Sequence, residues 1–121
     1  MSRIVSKANP VLRHTVHELR RAARAHDAPI WATVADRLER PRHAGKPVNV
    51  GHLQRLAAEQ EAVVVAGKLL AAGPLTKPLT VGAFSFSVEA RSKIRAAGGT
   101  ALTIAELLKA HPDGAGVRII A

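Results

Sequence analysis

The sequence has 121 residues, which is enough for one compact domain, or for a domain with an arm, and too few for two ordinary domains. It contains no cysteine, which excludes disulfides, thiolate metal sites and a catalytic thiol. Eighteen Lys and Arg against nine Asp and Glu give a net charge of +9. Such a charge attracts polyanions, of which nucleic acid and anionic membrane are the usual candidates.

The membrane interpretation is not supported by the apolar residues. No stretch approaches the roughly 18 uninterrupted apolar residues that a membrane helix needs. The first residues have no apolar run of signal-peptide length before charges and Pro10 intervene. We therefore expect a soluble, cytoplasmic protein that is held on a nucleic acid and has no membrane partner.

Residues 1–60 predict a basic helical part. Asn9-Pro10 is a typical helix start, because Asn caps free N–H groups and Pro loses no hydrogen bond at the first helical position. Apolar residues then recur at helical spacing: Leu12, Val16, Leu19 and Ala23. The adjacent face of this helix carries four basic residues: Arg13, His17, Arg20 and Arg24. Only Glu18 and Asp27 are near in sequence, so pairing along the helix does not account for these arginines, and we expect them to contact phosphate.

A second helix is predicted between Pro29 and Pro41, with one apolar face: Ile30, Trp31, Val34 and Leu38. The segment 40–47 has no periodicity, two prolines, a glycine and three fixed positive charges. It predicts a stiff basic loop that inserts between nucleic-acid helices and is ordered when bound. A third, shorter helix, capped by Asn49, carries Leu53, Leu56 and Ala57.

Residues 61–121 predict a small core in which short strands alternate with helices. The predicted strands are 63–65, which turns away at Gly67-Lys68, then 79–86, 99–102 and 117–120. One helix begins after Ser87 and stops at Gly98, and a capping box from Thr103 to Glu106 opens another. Crossovers join the strands, which favours parallel or mixed pairing and an α/β fold.

The sequence offers little for catalysis. Gly67-Lys68 lacks the first glycine and the hydroxyl residue of a phosphate-binding loop, and the glycines at 114 and 116 are typical of a turn. His14 and His17 could share a metal ion, but no carboxylate set completes the coordination sphere. We therefore expect no enzyme activity, no metal, no cofactor and no small-molecule substrate.

The few aromatic residues indicate how nucleic acid is recognised. There are one Trp, two Phe and no Tyr, and Trp31 and Phe84 fall in apolar patterns that predict burial. No platform for stacking successive bases is then left, which favours recognition of backbone and shape. Arginine forks suit phosphate, and the helix with Arg91, Lys93 and Arg95 adds basic residues. Charge alone also permits a DNA-coating, chromatin-like binding protein.

Several motifs recur in an order typical of one family. They include Trp31-x-x-Val34-Ala35-x-Arg37-Leu38-x-x-Pro41-Arg42, Val63-Val64-Val65-x-Gly67-Lys68 and Ala90-Arg91-x-Lys93-Ile94-x-x-Ala97-Gly98-Gly99. In this order the chain resembles the archaeal and eukaryotic large-subunit ribosomal protein eighteen family, whose bacterial counterpart is large-subunit ribosomal protein fifteen. The short length is similar to the archaeal form.

The resemblance implies a non-catalytic structural component of the ribosome. Its partners would be large-subunit rRNA of the 23S type and neighbouring large-subunit proteins. By position, the implied rRNA-binding residues are Arg13, Arg20, Arg24, Arg40, Arg42, His43, Lys46, Arg55, Lys68, Arg91 and Lys93. Gly51 departs from the family, which often has a larger residue there, so we expect the third helix to start later or to be weaker.

Overall fold

The computed structural model describes residues 10–40 and 47–120. They form helices α1 (Pro10–Ala25), α2 (Pro29–Glu39), α3 (Val50–Leu56), α4 (Val88–Ala96) and α5 (Ile104–Ala110) and strands β1 (Val48–Asn49), β2 (Ala62–Leu70), β3 (Thr80–Phe86), β4 (Thr100–Thr103) and β5 (Val117–Ile119). The predicted α/β class is confirmed. No helix within these two ranges is long and apolar enough to cross a membrane.

The strands form one sheet around β2, and every strand pair in the described residues is parallel. β3 follows one edge of β2, from Ala62↔Thr80 to Leu69↔Phe86, and β4 continues the sheet beyond β3. Two short strands share the opposite edge of β2. β5 pairs with its first residues and β1 with its last two, so this edge is completed by chain segments from both halves of the sequence.

The turn predicted at Gly67-Lys68 is wrong. β2 continues through both residues to Leu70, and its register against β3 shifts between Val65 and Lys68. Such an irregularity absorbs an extra residue without ending the strand. The strand continues because Leu69 is fully buried beyond the shift and pairs with Phe86.

Two hydrophobic cores lie on the two faces of the sheet. The first packs α1, α2 and α5 against Val64 and Ala66, and the second packs α3 and α4 against Val63 and Val65. The alternation of neighbouring β2 residues between the cores is the two-residue period of a strand. The boundary that we predict near residue 60 therefore separates elements that share both cores.

The helix signals at Ser87, Thr103–Glu106 and Gly98 act as predicted. The Ser87 side chain accepts a hydrogen bond from the Ala90 N–H, and both hydrogen bonds of the Thr103–Glu106 capping box are present. Gly98 follows α4 with φ +85°, a conformation that glycine adopts without strain. These signals depend on residues within one turn of each other, which is why the sequence reveals them.

The start of α3 differs from the prediction in two ways. Asn49 stands at the cap position, but its side-chain oxygen accepts from the Ala72 N–H at 3.1 Å rather than from the helix. The helix begins at Val50 and includes Gly51, so the late start that we expect is wrong. A Cβ on Gly51 would lie 3.0 Å from the Gly73 Cα, so glycine permits the loop after β2 to approach α3.

The two aromatic residues that are predicted to lie in the core are buried to different extents. Trp31 is fully buried, as predicted, and its indole N–H donates to the Pro112 carbonyl at 3.1 Å. Phe84 is half-buried and packs against the first core. Leu56, the last residue of α3, is 44% exposed, whereas Leu53 and Ala57 on either side of it are buried.

Candidate nucleic-acid interface

Helix α1 separates its apolar and basic residues as the sequence predicts. Leu12, Val16 and Leu19 are buried, whereas Arg13, His17 and Arg24 are exposed. Within residues 10–40 and 47–120, neither Arg13 nor Arg24 forms an ion pair with a carboxylate. Their charges are therefore available to a polyanion.

Arg20 lies on the same helix but has protein partners. Its guanidinium donates to Asp36 at 3.0 Å and to Glu39, and both carboxylates belong to α2. The hydrogen bond to Glu39 raises the pKa of Arg20, while burial opposes the shift. Because the pKa of Arg20 is higher in the folded than in the unfolded state, its positive charge stabilises the fold. This stabilisation is complete below the unfolded-state pKa and is lost only as the pH rises through the folded-state pKa, so Arg20 is charged and joins α1 to α2 at neutral pH.

Replacing Arg20 and Arg24 separately is expected to distinguish a structural arginine from an RNA-binding one. Arg20→Ala should lower the free energy of unfolding by about 0.5–2 kcal/mol, since two partly exposed ion pairs are lost. Arg24→Ala should leave that free energy unchanged within about 0.5 kcal/mol and weaken RNA binding instead. Urea denaturation measures the first effect and filter binding the second. Equal loss of stability in both variants would contradict this assignment.

The described residues that flank the predicted RNA-inserting loop belong to packed elements. Arg40 is exposed, follows α2 in extended conformation and donates its backbone N–H to the Arg37 carbonyl. After the segment, Val48 pairs with Leu69 in β2. The predicted residues Arg42, His43 and Lys46 lie outside the described ranges. The described residues on either side of this segment thus lie at the end of a packed helix and in β1, beside the carboxyl-terminal end of the central strand.

The remaining predicted residues fall into two kinds. Arg55, Lys68 and Arg91 are exposed, and the Arg55 guanidinium lies 2.9 Å from the His52 ring. Lys93, by contrast, donates to the carbonyl oxygens of Ala71, at 2.7 Å, and Gly73, at 2.8 Å. Its ammonium group holds the loop after β2 against α4, which the sequence does not indicate.

A contact between Arg91 and Phe86 is missing from the sequence prediction. The guanidinium carbon of Arg91 lies 5.0 Å from the centre of the Phe86 ring, which is the geometry of a cation–π pair. Phe86 ends β3 and Arg91 lies in α4, which starts at Val88. The spacing of five residues across a strand–helix corner is no recognised signal, so only the structure reveals the pair.

The described residues also contain an open pocket of about 240 Å³ between α1 and the C-terminal end of α5. Its charged and titratable lining residues are Glu18, Arg21, His26 and Lys109. Glu18 and Arg21 pair with each other at 3.6 Å. No group of three or more His, Asp or Glu side chains within 10–40 and 47–120 could hold a metal ion. The pocket contributes two further cations to the surface, Arg21 and Lys109.

Comparison with known proteins shows to which family the chain belongs. Residues 31–102 match the family model of ribosomal proteins 50S-L15, 50S-L18e and their 60S counterpart. The large ribosomal subunit protein eL18 of Methanopyrus kandleri is 49% identical over 117 residues, covering 93% of this chain and 92% of that protein. The eL18 proteins of Archaeoglobus fulgidus (46% identity, 94% and 97% coverage) and Halobacterium salinarum (42%, 96% and 99%) are also similar. A match to the family model over more than half of the chain, together with relatives at this identity, shows that the chain belongs to the ribosomal protein family of 50S-L15 and 50S-L18e.

Proposed function

We propose that this protein is a structural constituent of the large ribosomal subunit that binds folded large-subunit rRNA of the 23S type. It catalyses no reaction, acts in the cytoplasm as part of the ribosome, and contacts neighbouring large-subunit proteins. Binding relies on phosphate contacts and on the shape of the folded RNA.

The observation that carries the proposal is the set of exposed cations without a carboxylate partner in the described residues: Arg13, Arg24, Arg40, Arg55, Lys68, Arg91, Arg95 and Lys109. In the described part of the chain, ion pairs with carboxylates involve Arg20, Arg21 and Arg118. The cations without such a pair are dispersed over several helices and strands. A stable protein gains little from such dispersed charge, because like charges repel. A polyanion that contacts several of these elements at once neutralises the charges and removes the repulsion between them.

The anchoring of these cations supports recognition of a folded RNA rather than a flexible strand. Arg13 and Arg24 lie on a helix fixed by the first core, and Lys68 lies on the central strand. Their relative positions are therefore set by the fold. A rigid constellation fits one arrangement of phosphates better than others, which is how proteins recognise the shape of RNA.

Sedimentation and salt titration test the proposal. In a sucrose gradient the protein should travel with the large subunit at low salt and be released at high salt. If about six cations engage phosphates, the affinity for folded rRNA should fall with a log–log salt slope near −5. Long duplex DNA should compete poorly. Sedimentation only in the ribosome-free fraction would refute the proposal, and equal competition by DNA would favour a DNA-coating protein.

The double variant Arg40→Ala, Arg42→Ala tests the loop directly. Loss of two phosphate contacts should weaken binding to folded rRNA and flatten the salt slope by about two units. Stability should be unaffected, because Arg40 is exposed and forms no ion pair with a described carboxylate. Binding is measured by filter retention across a salt series, and folding by thermal denaturation. If the double variant unfolds, the loop is structural and its assignment to RNA is wrong.

A further inference from the structure

We propose that the carboxyl-terminal end of the sheet binds an unpaired RNA nucleotide. In this contact Arg91, resting on Phe86, stacks on the exposed base. The inference rests on the proposed function and makes it more specific. It assigns a single-stranded loop or bulge of the RNA to this end of the sheet, whereas phosphate contacts alone would not distinguish paired from unpaired RNA.

The position of Arg91 is the first support. Its guanidinium carbon lies 5.0 Å from the Phe86 ring centre, and Phe86 is half-buried against the second core. The ring is therefore fixed, and it holds the guanidinium in one place. Arg91 itself is exposed, so a base can reach it from solvent. A held side chain loses less conformational entropy on binding than a free one.

The charge around Arg91 is the second support. No described carboxylate forms an ion pair with it. Glu89 is two positions earlier on α4, which places it about 200° around the helix from Arg91. The guanidinium thus keeps its full charge and all its N–H donors. Guanidinium planes stack on unpaired bases in RNA recognition, while their edges donate to phosphate or base acceptors.

Lys68, another exposed cation at this end of the sheet, lies on the opposite face. In the sheet, Lys68 is the Cα partner of Ser85, and the next residue, Leu69, is the partner of Phe86. Neighbouring residues of a strand point to opposite faces, so Lys68 points away from the face on which Leu69 and Phe86 pack in the second core. Lys68 is exposed and has no described carboxylate partner. Lys68 therefore remains a phosphate contact of the proposed function, and the proposed stacking contact rests on Arg91 and Phe86.

Conservative and matched variants test whether stacking, rather than charge, is involved. The probe is folded, purified large-subunit rRNA, titrated with wild-type protein and with Arg91→Lys, Phe86→Leu and Arg95→Ala. Arg91→Lys keeps the charge but loses the planar group, so affinity should fall about five- to fiftyfold with an unchanged salt slope. Phe86→Leu should give a similar loss. Arg95→Ala, on the same helix and without a ring partner, should change the slope by at most about one unit.

Chemical probing of the same complexes gives the second measurement. Wild-type protein should protect at least one unpaired base, and Arg91→Lys should abolish that protection while leaving other protected positions unchanged. If Arg91→Lys binds and protects like wild type, the stacking contact is refuted and the proposed function stands. If wild-type protein does not bind folded rRNA at low salt, the proposed function itself is refuted. Should Phe86→Leu unfold, Arg91→Lys still decides between these outcomes.

Discussion

Trp31→Ala is expected to lower the free energy of unfolding by about 3–5 kcal/mol, a large share of the roughly 5–15 kcal/mol typical of natural domains. Trp31 is fully buried in the first core, between α1, the sheet and α5. Its removal leaves a cavity that the surrounding helices cannot fill completely. The lost N–H also leaves the Pro112 carbonyl without its indole donor. Guanidinium chloride denaturation followed by circular dichroism measures the change.

Trp31→Phe is the matched control for this prediction. It retains most of the apolar volume but not the hydrogen bond to Pro112, so the expected loss is about 1–2 kcal/mol. RNA binding of both variants should fall only in proportion to the unfolded fraction, because Trp31 is inaccessible to RNA in the folded protein. A folded, stable Trp31→Ala protein with impaired RNA binding would contradict the assignment of Trp31 to the core alone.

Gly99→Ala is expected to destabilise the protein by about 3 kcal/mol or more, because the added Cβ meets backbone rather than a movable side chain. A Cβ at this position would lie 2.3 Å from the Leu79 carbonyl oxygen and 2.9 Å from its nitrogen. The same oxygen accepts the Thr100 N–H at 2.9 Å. Relief of the clash would therefore disturb the start of the β3–β4 pairing.

Gly67→Ala provides the comparison. Nothing lies within 4 Å of a Cβ at Gly67, although this residue also belongs to a recurrent glycine motif. The variant should keep its stability or gain about 0.4–1 kcal/mol, since alanine restricts the unfolded chain more than glycine does. Thermal denaturation of both variants decides. If Gly99→Ala is as stable as Gly67→Ala, the close approach to Leu79 is not what requires glycine.

Much of the fold could be predicted because its signals are local. The caps at Ser87 and Thr103 and the stop at Gly98 each use residues within one helical turn. Most of the buried positions of α1 and α2 follow from their spacing, although Ala23 and Ile30 are only half-buried. The continuation of β2 past Gly67 could not be predicted, because it depends on the burial of Leu69 beneath helices that are distant in sequence.

The candidate site shows the same division between local and distant partners. Arg13 and Arg24 are exposed as the helical period predicts. Arg20 is on the same face, yet its partners come from α2, 16 and 19 residues later, which spacing along one helix does not reveal. Lys93 likewise binds carbonyl groups 20 and 22 residues away. Which basic residues remain free for RNA is thus decided by tertiary packing.

The shared edge of β2 has a consequence for how the protein is made. β5 occupies the first residues of that edge, and its residues 117–119 follow β2 by about fifty positions in the chain. Until they leave the exit tunnel, a nascent chain holds a β-branched strand with unpaired backbone groups, the type of edge on which polypeptides aggregate. Completion of the sheet therefore waits until residues 117–119 have been synthesised, and a chaperone that covers this edge until then would raise the yield of folded protein.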